Sequence, residues 1–387
     1  MRIAFLTDGI YPYELGGMQR HSTNMLKYLV LSGVDVTLFH AVNKIKVPSE
    51  AEILSKLFPD TKPENLKVIG FNFPSSLKFP GHYFLNSYNY SVLIYKALLD
   101  NDIKGFDFIY AKGFSAWRLL KEKKINKNLP LVGVNFHGFE MWQIAPSFKS
   151  HLIQFLFRPF VKWNVSNADY AFSYGAKITT IILSLGLEKN KIIEIPSAVD
   201  ESWVRKTNIF SNKKLKFLFI GRYERRKAIE EINSAIHNIN FLDIDVEFHF
   251  IGPIPFSKKI EFNNVTYHGK LTDSSQILSI IDSCDVLLCP SFSEGMPNVI
   301  LEAMSRGLAI IGSNVGAVSL IVDNSNGFLL EKNNVNSIVE AIKSCQSLNT
   351  QELNVLKENS LEKITKQFTW GVVIKDLIDK LAVICTK

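Results

Sequence analysis

The sequence predicts an α/β protein built from two tandem doubly wound, Rossmann-like domains, and three observations carry that expectation. Strand-length apolar runs alternate with helical periodicity from the first residues onward. The runs are near-continuously apolar, as strands are when a parallel sheet is covered on both faces. The same grammar then restarts after a polar stretch, ESWVRKTNIFSNKK at 201–214. Length agrees: 387 residues exceed the roughly 100–200 that one core usually holds. A chain 47% hydrophobic and 21% charged has enough apolar surface to fill two cores.

In order, the first domain (1–200) opens with a strand in RIAFLTD and a helix from about Gly17 to Leu31. Strands follow in VDVTLFH, FDFIYA, LPLVGVNFHG, DYAFSYG and KIIEIPSA. After the 201–214 linker, the second domain (215–367) gives strands in LKFLFIGR, VEFHFIG, NVTYHGK, DVLLCPS and LAIIGSN, with a helix from about Lys227. The closing segment, about 368–387, repeats apolar residues at helical spacing through Trp370, Val373, Ile374, Leu377, Ile378 and Leu381. No strand follows it, so it is expected to pack back on the first domain. The apolar run Ile3–Leu6 is too short for a secretory or membrane segment, and no run of about 18 apolar residues occurs elsewhere. A cytoplasmic location is expected. The cysteines Cys284, Cys289, Cys345 and Cys385 have no zinc-type spacing and read as reduced thiols.

The net charge of +7 is uneven: residues 1–200 hold 23 Lys+Arg against 16 Asp+Glu, and residues 201–387 hold 21 against 21. The surplus on the first domain is that of a surface meeting an anionic partner such as a membrane, a phosphorylated lipid or a nucleic acid, although a modest surplus also occurs by chance.

Ligands of doubly wound sheets sit beyond the carboxyl ends of the strands, and four motifs lie there. In FIGRYERRKAIEE (219–231), a strand ends at Gly221, and Arg222 and Lys227 follow where the chain turns into a helix. Cations beside free helix N–H groups suit a diphosphate; a solvated basic loop is the simpler alternative. In PSFSEGMPNVILEAMSRG (290–307), Pro297 marks a helix start and Gly307 its end, leaving Glu294 on the preceding loop and Glu302 inside an apolar helix. Glu302 could meet the vicinal hydroxyls of a ribose or pair with Arg306 at i+4. Glu294 could reach sugar hydroxyls or merely complement the helix dipole. ELGGMQRH (14–21) puts Gly16 and Gly17 between the first strand and helix, where a backbone can approach a ligand. NFHGFE (135–140) puts His137 just past a strand, in either a structural or a functional role. Neither a GxGxxG nor a GxxxxGK[ST] motif is present. The pair Asp243 and Asp245 forms a DxD, but it precedes a strand, at the sheet end where ligands seldom bind, and is rejected as a metal site.

The ordered set ELGGMQRH, NFHGFE, IPSAVD (195–200), GRYERRKA, SEGMPNVILEAMSRG and FTW resembles the family-4 retaining glycosyltransferases of the GT-B fold over essentially the full chain. SEGMPNVILEAMSRG looks like that family's E-x7-E segment. The resemblance implies a nucleoside-diphosphate-sugar donor, no metal and no other cofactor. It implies that Arg222 and Lys227 hold the diphosphate, helped by the backbone around Gly16 and Gly17 and by the helix start after Glu294 (Gly295, Met296, Pro297, Asn298). Glu302 would bind the ribose, Glu294 the donor sugar, and His137 the sugar near the reacting carbon. Glu294, His137, Arg222 and Lys227 form the expected catalytic set. Three positions depart from the family pattern: Ala228 stands for a glycine, Ser197-Ala198-Val199-Asp200 for NGVD, and Leu320 for an acidic residue.

The resemblance assigns the acceptor, a glycan or lipid-linked glycan rather than a nucleic acid, to the first domain. There the segments 71–84 and 148–163 mix aromatics with Lys78, Lys149, Arg158 and Lys162. Aromatics interleaved with cations suit the inner face of a membrane; the alternative is that these aromatics are core. Two other functions fit the same scaffold: a nucleotide-sugar epimerase or phosphorylase-like enzyme, and a non-catalytic nucleotide-sugar-binding protein.

Overall fold

The computed structural model describes residues 1–43, 46–75, 81–207, 214–242 and 244–386. Lys78, Asp243 and the linker positions 208–213 fall outside them.

The first domain contains β1 (Arg2–Leu6), β2 (Asp35–Val42), β3 (Leu66–Asn72), β4 (Phe108–Lys112), β5 (Leu131–Asn135), β6 (Tyr170–Ser173) and β7 (Ile192–Glu194). Its main helices are α1 (Gly17–Leu31), α2 (Glu50–Leu57), α3 (His82–Asp100), α4 (Trp117–Lys123), α5 (Phe148–Asn167) and α6 (Lys177–Ser184). The second domain contains β8 (Leu215–Ile220), β9 (Val246–Ile251), β10 (Val265–Gly269), β11 (Val286–Cys289), β12 (Ala309–Ser313) and β13 (Gly327–Leu330). Its helices are α7 (Ile229–Phe241), α8 (Ser274–Asp282), α9 (Asn298–Ser305), α10 (Val318–Ile321), α11 (Val335–Ser347) and α12 (Thr350–Gln367). The chain closes with α13 (Trp370–Cys385).

Both sheets are parallel. Their orders are β3-β2-β1-β4-β5-β6-β7 and β10-β9-β8-β11-β12-β13. Each order reverses once, between β1 and β4 in the first sheet and between β8 and β11 in the second, and these reversals are the crevices where such sheets take ligands. Because the strands are sandwiched between helices, their residues are buried almost without interruption: Ile3–Leu6, Val36–Val42 and Val286–Cys289 are all inside. The edge strand β3, LKVIGFN, is only half-buried and broken by Lys67 and Gly70, so its apolar run is too weak to mark it in the sequence. The four-residue β13 escapes notice for the same reason.

The first domain's core has two parts, one on each face of its sheet. One part includes Trp370, Val373, Ile374, Leu377 and Leu381 of α13 beside Met25, Leu26 and Leu29 of α1, so the C-terminal helix does pack back on the first domain. An isolated bridge between Val199 and Thr369, and the Gly371 N–H donated to Glu201 Oε1 at 2.9 Å, fix this return crossing. The other part is continuous with the second domain: Phe139 and Tyr174 belong to the same apolar cluster as Met296, Ile300 and Val315. The carboxyl ends of both sheets therefore open onto one shared cleft. Cys284, Cys289 and Cys345 are buried and Cys385 is half-buried, all of them free thiols.

Candidate active site

A cleft of about 670 Å³ runs between the two domains, lined from the first by Gly16, Gly17, His21 and His137 and from the second by Arg222, Lys227, Glu294 and Asn298, among others. Two helix starts meet across it. Helix α1 begins after Gly16, whose φ of 156° suits glycine, and α9 begins after Pro297; neither start has a side-chain cap. Uncapped starts leave N–H groups free for an anion. The starts are close enough that a Cβ on Gly17 would lie 3.9 Å from Asn298 Nδ2. The helix thus begins one residue later than the sequence predicts, with Pro297 at the N-cap, while Gly307, at φ 76°, ends it as expected.

Glu294 is held from both sides. Lys227 Nζ lies 2.5 Å from its Oε1 and Arg226 Nη1 3.3 Å from its Oε2. From the first domain, the Gln143 amide pairs with its backbone: Nε2 donates to Glu294 O at 2.5 Å and Oε1 accepts the Glu294 N–H at 3.2 Å. Beside this clamp the glycines of the two domains touch. A Cβ on Gly138 would sit 2.8 Å from Gly295 N, a distance no real Cβ tolerates. Burial would raise the Glu294 carboxyl, but the Lys227 and Arg226 charges overcome it and hold the group below its ordinary value.

His137 gets its position from strand β5. Tyr110 Oη accepts from Asn135 Nδ2 at 2.7 Å, and Asn135 Oδ1 accepts the His137 N–H at 2.7 Å. The backbone then turns through two non-glycine residues in the left-handed region, His137 at φ 56° and Phe139 at φ 48°. Such conformations cost about 1–3 kcal/mol each and persist where the surroundings over-determine them. His137 Nδ1 is 2.7 Å from Tyr174 Oη. Burial, then the charge of Lys112, keeps the ring well below its ordinary value and therefore neutral. Lys112 lies behind it, with Nζ 2.8 Å from His21 Nδ1. Burial pulls this amine down to about 7, against the pull of Asp8.

The structure thus gathers His137, Arg222, Lys227, Glu294, Gly295, Met296, Pro297, Asn298, Gly16 and Gly17 around the cleft, whereas Glu302 stands apart. Arg222 is at the rim, its side chain 70% exposed and paired with Glu224 at 2.8 Å, while the cations that pair with Glu294 are Lys227 and the half-buried Arg226. Glu302 lies one turn further along α9, outside the cleft lining, and pairs with Arg20 at 3.5 Å. Pairing with Arg306 at i+4 does not form, because Arg306 is engaged by Asp282 at 2.6 and 2.7 Å. Burial raises the Glu302 carboxyl, opposed by Arg20. Asp245 sits on the surface, paired with Lys214 at 2.6 Å.

The three departures also acquire physical content. Ala228 occupies a left-handed position, φ 57°, that costs a non-glycine residue roughly 1–2 kcal/mol. Ser197 donates its hydroxyl to Asn298 Oδ1 at 3.0 Å, joining the domains at the start of α9. Leu320 packs across the domain boundary on Gly175, where its Cδ1 fills the space a Cβ would need. Gln143, Tyr174 and Lys112 carry no motif in the sequence, whereas Arg226 and His21 lie inside quoted motifs, at positions that only the fold distinguishes.

Two family models match the chain: Glycosyltransferase Family 4 over residues 15–203 and Glycosyl transferases group 1 over residues 214–347. An uncharacterized glycosyltransferase of Methanocaldococcus jannaschii is 28% identical over 375 residues, 93% of this chain and 92% of that protein. The UDP-Gal:alpha-D-GlcNAc-diphosphoundecaprenol alpha-1,3-galactosyltransferase of Escherichia coli is 37% identical over 206 residues, 48% of this chain and 53% of that protein. Among solved structures, sucrose-phosphate synthase from Thermosynechococcus elongatus superposes with a TM-score of 0.77 at 15% identity, covering 100% of this chain and 99% of that one.

Glu294→Gln takes the carboxylate partner from the largely buried Lys227, while Arg226 keeps Glu224 at 2.9 Å; breaking a buried pair on one side typically costs about 3–5 kcal/mol, read as a lower urea midpoint at pH 7. The folded carboxyl titrates below its ordinary value, so its contribution is complete above about pH 4.5 and disappears as pH falls through the lower folded value. The gap between wild type and variant is expected to close in acid. A gap that stays constant from pH 7 to pH 3 would contradict the ion-pair assignment.

Proposed function

This chain belongs to the family-4 glycosyltransferases with the GT-B fold, and on that premise we propose that it transfers a sugar from a nucleoside diphosphate to a hydroxyl of a lipid-linked glycan, with retention and without a metal. The observation that carries this reading is the Glu294 carboxylate, locked by Lys227 and Arg226 at the meeting point of two uncapped helix starts and facing a neutral histidine.

Cleaving a glycosyl diphosphate places negative charge on the leaving group and oxocarbenium character on the sugar. Lys227, the free N–H groups at the starts of α1 and α9, and the exposed rim cation Arg222 would take up the phosphate charge. Being fixed before the reaction, they need little reorganisation. Glu294, kept anionic, would accept sugar hydroxyls and balance the positive sugar. His137 has Nδ1 committed to Tyr174, which leaves Nε2 for a sugar hydroxyl near the reacting carbon. The leaving phosphate oxygen would then take the acceptor's proton on the face from which it departs, which retains configuration. Glu302 would reach the ribose once Arg20 releases it. The similarity to an enzyme acting on a diphosphoundecaprenol-linked sugar favours a lipid-linked acceptor.

A membrane-surface reading rests on α5. Phe148 is 85% exposed and Phe155 59%, with Leu152, Ile153 and Leu156 exposed beside them and Lys149 and Lys162 also at the surface. Phe148 and Phe155 are not core, whereas Phe71, Phe73, Phe84, Phe160 and Trp163 of the segments 71–84 and 148–163 pack against it. An amphipathic helix with this composition inserts its apolar side at an anionic lipid interface. Among the described residues no helix is long and apolar enough to cross a membrane.

A thermal-shift screen of UDP-, GDP- and ADP-sugars is expected to give one donor that raises the melting midpoint. With that donor, nucleoside-diphosphate release should fall about 100-fold or more in Glu294→Ala, the scale set by losing one preorganised electrostatic group, and NMR should show the donor's anomeric configuration kept in the product. Equal rates, or inversion, would overturn the mechanism. Phosphatidylglycerol vesicles at low salt should sediment the wild type but not Phe148→Ser/Phe155→Ser; a wild type that ignores the vesicles removes the membrane reading.

A further inference from the structure

We propose that Lys112 is a positioning residue for the transfer: by donating to His21 it fixes, on the cleft side of that imidazole, the one proton with which the ring meets an oxygen of the donor's diphosphate. The assignment rests on the glycosyl-transfer reading above and adds two residues that the reading leaves unused.

His21 is the fifth residue of α1 and lines the cleft beside Gly16 and Gly17. A helical side chain leans toward the N-terminus and covers the turn before its own Cα. The His21 ring therefore lies over the uncapped first turn, whose free N–H groups suit an anion. It is only 5% exposed. Three rings from other elements surround it: Trp370 of α13 at 5.0 Å between centroids, His137 beyond β5 at 5.5 Å and Tyr174 beyond β6 at 5.9 Å. Walls of this kind leave the imidazole little room to turn over and exchange its nitrogens. Nδ1 meets Lys112, which is no part of the cleft lining, with Nζ 2.8 Å away; Nε2 is the nitrogen left for a bound molecule.

Lys112 ends β4 and is itself buried. Its amine has a second partner in Ser22 Oγ at 2.9 Å, and Ser22 gives its own proton to Met18 O at 3.0 Å, so the hydroxyl receives from the amine. An ammonium has three protons to donate and no lone pair, and a neutral imidazole has one N–H. Against an ammonium, His21 Nδ1 can only accept, and the ring's proton sits on Nε2. A second proton is opposed as well: burial, then the Lys112 charge, holds His21 well below its ordinary value. The cleft thus gains a neutral N–H donor of fixed direction, ready before the diphosphate arrives.

This constraint depends on the charge of the amine. Burial draws Lys112 down to about 7, and Asp8 pulls the other way. The other titratable groups around it are Glu14 from the loop beyond β1, Tyr83 and Tyr90 from α3, and His21 with His137 behind it. Burial raises Asp8 and both tyrosines, so the tyrosines stay neutral. Below about pH 7 the amine is an ammonium and the Nε2–H tautomer is held; above it the neutral amine can accept as well as donate, and the hold relaxes.

Long-range proton–nitrogen correlation NMR of histidine-labelled protein tests this, with the His21 signals assigned by Overhauser contacts to Trp370. At pH 6, without ligand, the wild-type ring is expected to be neutral with its proton on Nε2, a preference that weakens as pH rises through about 7. Lys112→Met is expected to show both tautomers at pH 6 and to raise the ring's titration toward its ordinary value. Of UDP, GDP and ADP, at least one should bind the wild type and move the His21 Nε2 signal, with affinity about tenfold or more lower in His21→Leu, the scale of a hydrogen bond to a charged group. Circular dichroism checks that the variants are folded, and the wild-type spectra decide the tautomer without them. A proton on Nδ1 or on both nitrogens at pH 6, an unchanged spectrum in Lys112→Met, or equal nucleoside-diphosphate affinity in the wild type and His21→Leu would each overturn the proposal. A wild type that binds none of the three removes the glycosyl-transfer reading instead, while the ligand-free spectra still decide whether Lys112 sets the tautomer.

Discussion

The arrangement depends on how one carboxylate-bearing loop, Ser293 to Gly295, is gripped by both domains at once. Its side chain is claimed by Lys227 and Arg226 of its own domain, and its backbone by Gln143 of the other. An ion pair this deeply buried is a doubtful source of stability, because the desolvation of its charges offsets their attraction. It is better understood as a positioning device. The two cations keep Glu294 ionised inside the protein, and the Gln143 amide fixes the loop only when the domains are in contact. Gly138 makes that contact possible, since a Cβ there would lie 2.8 Å from Gly295 N, and Gly295 eases it, since a Cβ there would crowd Gly138 Cα at 3.1 Å.

The electrostatics of the two walls differ in kind. The second-domain wall carries permanent charge, Lys227 and Arg226 against Glu294, with Arg222 at the rim beside Glu224. The first-domain wall is held near neutrality: burial and the Lys112 charge suppress protonation of His137 and His21, and burial draws Lys112 itself down to about 7. A charged wall suits a diphosphate and a neutral, hydrogen-bonding wall suits sugar hydroxyls, so the division of charge matches the division between leaving group and transferred group.

Much of this was legible in the sequence because buried parallel strands write themselves as unbroken apolar runs. Residues 2–6, 35–42, 131–135, 286–289 and 309–313 could hardly be anything else, and Gly16, Gly17, His137 and Glu294 lie beyond the ends of β1, β5 and β11. What the sequence hides are contacts between distant segments. Nothing around Arg20 announces that it will meet Glu302, and Gln143 looks like any loop glutamine until the second domain is docked on it. The choice of Arg226 over Arg222 as the arginine that meets Glu294 turns on a single 3₁₀ turn, Arg225–Lys227, closed by Ala228 in a left-handed conformation. Edge strand β3 was missed because a half-exposed strand loses the apolar continuity that reveals the others.

The central claim is that the loop gripped from both sides forms the floor of a diphosphate site in which Lys227 is the principal cation. Isothermal titration of a nucleoside diphosphate into the wild type and Lys227→Met tests it most directly. The account predicts binding to the wild type and at least a tenfold loss of affinity in the variant, about 1.4 kcal/mol or more. Equal affinity in the two proteins would contradict it.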